Sequence, residues 1–313
     1  MRQTQTRTES NGREVITETT ERPDLDGKMK AALQTTTETV KTGPNSTQIK
    51  HDVYAPDANG RQKLVETTQA EVQTSSNGSS RSVSTTYAPD VNGRLAFSSQ
   101  EVQETTAPSA NVKQTNTSIF QAGINSTTVE TERVQQTEKK VSTEVTQNES
   151  TRFSRDGTGR WQATETRNEE VRATKTERVS EETVRRLNDS GALTVSEKTV
   201  TKQSKTNSGD ETVTETYSAN VPGGLASSSG RLELDQRVRQ TSSTTGGVQQ
   251  TVREVEGRKR GSPNEPLRVI ERTVETVRQT GPNQWEVQRE VFALDGNGRL
   301  VPVTKESGKA TGK

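Results

Sequence analysis

Tyr54-Ala55-Pro56-Asp57-Ala58-Asn59-Gly60-Arg61 returns as Tyr87-Ala88-Pro89-Asp90-Val91-Asn92-Gly93-Arg94-Leu95, with Tyr87 33 residues after Tyr54. Adding 33 again reaches Phe120, in the eroded copy Phe120-Gln121-Ala122-Gly123-Ile124-Asn125, and then Phe153, which opens Phe153-Ser154-Arg155-Asp156-Gly157-Thr158-Gly159-Arg160-Trp161. Subtracting 33 from Tyr54 gives Glu21, ahead of Asp24-Leu25-Asp26-Gly27. Later copies drift in spacing, at Leu187-Asn188-Asp189-Ser190-Gly191, at Tyr217-Ser218-Ala219-Asn220, and at Phe292-Ala293-Leu294-Asp295-Gly296-Asn297-Gly298-Arg299-Leu300. A fixed interval on this scale is the signature of stacked similar units.

The phrase itself encodes a reversal. Asp57 stands at the first position of a type I turn and Gly60 at the fourth, where each is favoured. Gly60 can then adopt the left-handed conformation that re-enters a strand through a bulge. The same reading assigns turn roles to Asp24, Asp26 and Gly27, to Asp90, Asn92 and Gly93, to Asp156 and Gly159, and to Asp295, Asn297 and Gly298. A second turn signal falls between successive copies: Ser10-Asn11-Gly12, Gly43-Pro44-Asn45, Ser76-Asn77-Gly78, Asn207-Ser208-Gly209, Gly246-Gly247 and Gly281-Pro282-Asn283. One repeat is therefore strand, turn, strand, turn, with strands of roughly 12 residues and about 16 to 18 of them in the chain.

Between turns the sequence alternates with the period of a pleated strand. Ala70, Val72 and Thr74 share one face, and Gln69, Glu71 and Gln73 the other. Thr212, Thr214 and Thr216 oppose Glu211, Val213, Glu215 and Tyr217, and Trp285, Val287 and Val291 alternate with Glu286, Gln288 and Glu290. Leu267, Ile270, Val274 and Val277 have helical spacing, but Thr273 and Thr276 interrupt it. Only 24% of residues are hydrophobic and 3% aromatic, while 27% are charged and nearly cancel to +1. That composition cannot fill a thick core. It also admits disorder, against which the richness in Thr and Val and the near-zero net charge both argue. The expected fold is all-β: a long antiparallel β-meander of hairpin repeats, extended or thinly layered, running over residues 1–313 as a single array with no separate globular domain. A parallel β-solenoid, with threonines stacked coil on coil, is the alternative. The 33-residue period equals that of ankyrin repeats, whose helix pairs and Thr-Pro-Leu-His phrase are missing.

The stretches Tyr87 to Leu95 and Phe292 to Leu300 resemble the YD repeats of RHS-type bacterial proteins, in which Tyr-Asp and Gly-Arg dipeptides mark hairpins of long wound sheets. Here two further residues separate the aromatic from the Asp and the period is longer. The resemblance implies a bacterial hairpin-repeat protein.

The sequence offers no constellation for chemistry. His51 is the sole histidine and no cysteine is present, which removes multi-histidine centres, thiolate sites and disulfides. The Asp57/Asn59, Asp90/Asn92, Asp24/Asp26 and Asp295/Asn297 pairs superficially suggest calcium loops but lack the late bidentate Glu those loops require. Arg258-Lys259-Arg260 is the densest basic cluster, too small for a nucleic-acid face. Asn-x-Ser/Thr triplets at Asn45, Asn77, Asn116, Asn125, Asn148 and Asn188 follow from a composition rich in those residues. No apolar run reaches membrane-helix length, and Met1-Arg2-Gln3-Thr4-Gln5 is not followed by the apolar segment of a signal peptide. The expectation is a non-enzymatic extracellular structural protein without cofactor, metal or nucleic-acid partner: a subunit of a bacterial surface or matrix fibre whose terminal strands associate head to tail. Pro302, in the last strand, weighs against pairing there. A cell-surface adhesin or polysaccharide-binding stalk, and a hydrophilic disordered protective protein, are the alternatives.

Overall fold

A computed structural model describes residues 2–23, 26–123, 127–206, 209–219, 232–258 and 266–311. None of the described residues is helical. The described residues form 19 strands: β1(Arg2–Ser10), β2(Arg13–Pro23), β3(Met29–Gly43), β4(Ser46–Pro56), β5(Gln62–Thr74), β6(Ser80–Pro89), β7(Leu95–Ser109), β8(Val112–Ala122), β9(Thr128–Lys140), β10(Val145–Arg155), β11(Trp161–Ala173), β12(Glu177–Leu187), β13(Leu193–Thr206), β14(Gly209–Ser218), β15(Glu233–Thr245), β16(Val248–Gly257), β17(Arg268–Gly281), β18(Gln284–Leu294) and β19(Leu300–Thr311). They belong to an antiparallel meander, in which each strand pairs with its neighbours in sequence. Antiparallel pairing excludes the solenoid, whose coils stack in parallel. The segment with helical spacing is β17, extended and paired on both sides. Its threonines and valines suit a pleated surface.

The chain divides into two compact units, Met1–Thr137 with Thr151–Gln162, and Glu138–Ser150 with Ala163–Lys313. In the first, hydroxyls and a few apolar groups line up across the strands. Ile16, Thr37, His51, Thr68, Thr86 and Ser99 stand opposite one another from β2 to β7. On the reverse face Thr6, Thr17, Thr36, Asp52, Thr67, Tyr87 and Phe97 do the same from β1 to β7. The buried residues described in this unit are polar: Asp52, Thr67, Thr105 and Thr115. Thr105 and Thr115 satisfy each other, Oγ1 to Oγ1 at 3.1 Å.

The second unit contains the buried hydrophobic residues Val171, Val184 and Val255, and Val184 retains 1% exposure. Val184 lies in register between Arg167 of β11 and Glu197 of β13, long side chains whose aliphatic stems can cover a valine while their charged ends reach water. The opposite face is a lattice of charge. Glu215, Arg237 and Glu256 follow one another across β14, β15 and β16, with Arg237 donating to Glu215 at 2.9 Å through Nε and to Glu256 at 3.1 Å through Nη1. Such half-exposed pairs contribute at most about 1 kcal/mol each. Cohesion therefore comes from many backbone ladder bonds and cross-strand pairs.

A feature the alternating pattern does not announce recurs along the sheet, in several places beside an Asp/Asn-Gly turn. On the return strand one residue is left out of the ladder: Ala32 opposite Thr20/Glu21, Val65 opposite Val53/Tyr54, Ser98 opposite Thr86/Tyr87, Ser196 opposite Val184/Arg185, Asp235 opposite Thr216/Tyr217, Ile270 opposite Val255/Glu256 and Val303 opposite Val291/Phe292. Each bulge bends the strand and exchanges which face successive residues occupy. The aromatic that opens the repeated phrase therefore marks the bulge: Tyr54 meets Leu64, Tyr87 meets Phe97, Tyr217 meets Leu234 and Phe292 meets Pro302. Pro302 is tolerated in β19 because it adjoins such a bulge.

Candidate functional site

The turns follow one geometry. In the Asp57 loop, Asp57 N donates to Arg61 O at 2.8 Å and Gly60 N to Asp57 O at 2.9 Å, while Asp57 Oδ1 accepts from the N–H groups of Asn59 at 2.8 Å and Arg61 at 2.9 Å. Gly60 has φ 76. This is a type I turn closed by a left-handed glycine bulge. Asp90, Asn92, Gly93 and Arg94 repeat it, as do Asp295, Asn297, Gly298 and Arg299. Asp156 uses Thr158 in place of Asn, accepting from its N–H at 2.8 Å and its hydroxyl at 2.7 Å, with Gly159 at φ 83. Asn188 substitutes for Asp, with Ser190 and Gly191. Gly27 has φ 75 and follows Asp26, whereas Asp24 lies outside the described residues. In the turns with a complete bond set, the Asp or Asn oxygen is turned to the loop's own backbone, which makes these residues builders of the bend. Among the described residues no group of three or more His, Cys, Asp or Glu could hold a metal ion.

Individual polar groups are likewise absorbed into the sheet. His51 Nδ1 lies 2.9 Å from Thr37 Oγ1, within the hydroxyl row. Burial pushes the Asp52 carboxyl up, but hydrogen bonds from Lys50 Nζ at 2.8 Å and Thr67 Oγ1 at 2.5 Å outweigh it and hold the group below the usual aspartate range. In the first unit Arg133 donates to Glu130 through Nε at 2.8 Å and Nη2 at 2.7 Å, and this fork holds the Glu130 carboxyl down. Arg133 and Arg155 both stack on Trp161, at 4.3 and 4.7 Å from the ring centroid. Arg155 also donates to the carbonyls of Glu130 and Gly159, at 3.2 and 2.9 Å. Trp161 thus pins the Asp156 turn to β9. Its place in the repeated phrase is visible in the sequence, but its arginine partners are not.

In the second unit Gln203, Thr212, Gln240, Ser242, Gln249 and Thr251 share one face and line a shallow concavity together with charged side chains, among them Lys175, Arg178, Lys205 and Asp210.

The least satisfied part of the first unit is β1. All nine of its residues are exposed, and among the described residues its one strand neighbour is β2. Ser10 and Arg13 close a two-residue turn with Asn11 at φ 52 and Gly12 at φ 74, a type I′ hairpin whose flanking residues exchange ladder bonds. Alternation then directs the backbone groups of Thr4, Thr6 and Thr8 toward β2, and those of Gln3, Gln5, Arg7 and Glu9 away from it. The bond from Lys41 N to Gly12 O fixes the same phase on β2. β1 contains neither proline nor lysine, residues that commonly guard sheet edges. β19 has both, in Pro302, Lys305 and Lys309.

No protein-family model matches the sequence, and no curated protein is significantly similar to it. Among solved structures the chain is similar to the siderophore receptor PirA from Pseudomonas aeruginosa, with a TM-score of 0.52 and 9% identity over 94% of this chain and 66% of that one. At that identity the likeness is one of fold: long antiparallel strands joined by hairpins.

Proposed function

We propose that this chain is a non-enzymatic extracellular structural protein of bacterial type, a subunit of a surface or matrix fibre that grows by β-strand addition. The observation that carries the reading is β1, a nine-residue strand exposed along its length with a row of backbone donors and acceptors facing outward. Strand addition satisfies such a row through main-chain bonds without needing a preformed pocket. Polar, charge-balanced faces support it, because filaments with mixed surface charge stay hydrated instead of collapsing on one another. Transmembrane strands of the barrel type instead present an apolar outer band flanked by aromatic girdles. With 3% aromatic residues and Thr, Gln, Glu and Arg on both faces, this chain is built for water. Negative-stain microscopy of purified protein over a concentration series should reveal elongated assemblies; monodisperse particles throughout would refute the proposal.

A second reading, a polysaccharide-binding stalk, is favoured by the polar concavity around Gln240 and Ser242, where amides and hydroxyls stand among charged side chains. Amides and hydroxyls match the donor and acceptor pattern of sugar hydroxyls. Loss of polysaccharide retention on substituting Gln203 and Gln240 by Ala would support it, and a glycan array without hits would remove it.

A further inference from the structure

We propose that Asn11 is a self-modification site: its carboxamide closes on the backbone nitrogen of Gly12, loses ammonia, and opens with water to aspartate or isoaspartate. The chain has five Asn-Gly pairs, at Asn11, Asn59, Asn77, Asn92 and Asn297. Glycine leaves its own nitrogen open to close approach, so the sequence makes the five alike. All five asparagines are exposed, so access to water does not separate them either. Their turns do separate them. Four of the glycine N–H groups are engaged: Gly60 donates to Asp57 O at 2.9 Å, Gly78 to Ser75 O at 3.0 Å, Gly93 to Asp90 O at 2.9 Å and Gly298 to Asp295 O at 3.0 Å. Asn77 is further held, its Oδ1 accepting from Ser79 N–H at 3.0 Å. Gly12 N–H has no such partner among the described residues.

Ring closure eclipses the asparagine Cβ with the next backbone nitrogen. With φ near +60°, that is the first central position of a type II′ turn, about (+60°, −120°). The φ of Asn11 is already 52, and its type I′ turn differs from type II′ chiefly by a flip of the peptide joining Asn11 to Gly12. The flip breaks no bond of the Gly12 N–H. It leaves Gly12 O with its bond from Lys41 N at 3.3 Å, and Ser10 opposite Arg13. Both turn types close two-residue hairpins, so β1 and β2 stay paired while the ring forms. At Asn59 the same rotation would pull Gly60 N off Asp57 O and disturb the bond from Arg61 N–H to Asp57 Oδ1. In the reaction Gly12 N gives its proton to hydroxide and attacks Asn11 Cγ. The N–Cγ bond forms, the Cγ–Nδ2 bond breaks, and ammonia leaves with a proton taken back from water. Water then opens the ring: cleavage at Cγ leaves aspartate, and cleavage at the main-chain carbonyl leaves isoaspartate. Either product adds one negative charge and takes the formal net charge from +1 to zero. Isoaspartate also adds a carbon to the main chain, which a two-residue type I′ turn cannot hold. The tip of the β1–β2 hairpin thereby carries a permanent record of the molecule's age, whatever the faces of the sheet bind.

Peptide mapping by mass spectrometry of the full folded chain, aged at neutral pH, reads the conversion of each asparagine, with fragmentation that tells isoaspartate from aspartate. Asn11 should convert about tenfold or more faster than Asn59, Asn77, Asn92 or Asn297, the factor that one or two turn bonds supply. In concentrated urea, where the turns are lost, all five should convert at similar rates. Asp57→Ala removes the acceptor that braces its turn and should speed conversion of Asn59 while leaving Asn11 unchanged, with circular dichroism confirming that the sheet is kept. Asn11→Gln, whose longer side chain can close only a six-membered ring, should abolish conversion at that position. Equal rates at the five sites of the folded chain, Asn59 leading Asn11, or conversion of Asn11 without isoaspartate would overturn the proposal.

Discussion

Backbone conformation at single residues does much of the folding work, because so little apolar surface is available. Gly157 and Gly159 occupy the same turn, and a Cβ at either would meet nothing within 4 Å. They differ in φ: Gly159 is at +83, whereas Gly157 lies outside the left-handed region. Alanine at Gly159 should therefore cost about 1–2 kcal/mol from the forced left-handed conformation. Alanine at Gly157 should be neutral or stabilise by up to about 1 kcal/mol, through a less flexible unfolded chain. Urea midpoints of the two variants test this, and similar midpoints would mean that the turn is not held by its glycine conformation. The same logic explains why the turns were readable from residues. Asp57, Asn59 and Gly60 each prefer the geometry they adopt, with no help from distant partners. The bends at Ser109–Val112 and Thr174–Glu177 were not foreseen, because Ala110-Asn111 and Lys175-Thr176 contain no glycine or proline and their pairing is decided by the flanking ladders. With those bends included the described residues form 19 strands, against an expected 16 to 18.

Carboxylates that work best ionised add to the backbone ladders that hold the strands together. The Tyr217 hydroxyl, with Arg237 beside it, holds the Glu215 carboxyl below its ordinary value, and Ser180 with Asn148 does so for Glu169. At Glu165 burial pushes the carboxyl up, but Arg186 and Arg167 outweigh it and the net shift is downward. A carboxylate depressed in the folded state contributes stability above the unfolded carboxylate range of about 4, and that contribution is lost as pH falls through the folded values. Each of these half-exposed groups supplies about 1 kcal/mol or less, but their losses coincide. The melting temperature should thus be flat from pH 8 to about 5 and fall steeply below pH 4. A midpoint unchanged at pH 3 would show the ladders to be energetically idle. At this scale the sequence was legible only in part. Alternation placed Thr212, Thr214 and Thr216 on one face and Glu215 with Tyr217 on the other, as found. It could not place the bulges at Val65, Ser98 and Val303, because an unpaired residue is defined by the register of the partner strand. Nor could it show that Arg133 and Arg155 converge on Trp161, which depends on three strands at once.

Across a whole unit, the pairing of each strand with its sequence neighbours makes stability a sum of local terms, as in a one-dimensional array. In the second unit the described contacts follow this rule, with β11 to β12, β12 to β13 and β17 to β18 each forming its own ladder. The buried apolar side chains are few, so the loss of one cannot be shared through a common core. Val184→Ala removes two methyl groups from a site with 1% exposure and should cost about 1–2 kcal/mol. In a globule that cost would lower protection everywhere by the same amount, since opening is global. Here it should appear as faster amide hydrogen exchange confined to β11, β12 and β13, with β17 and β18 of the same unit unchanged. Peptide-resolved exchange at neutral pH reads this directly. Uniform loss of protection over β11 to β18 would mean that the unit unfolds as one cooperative body, and that charge lattices and threonine rows transmit stability as effectively as an apolar centre does.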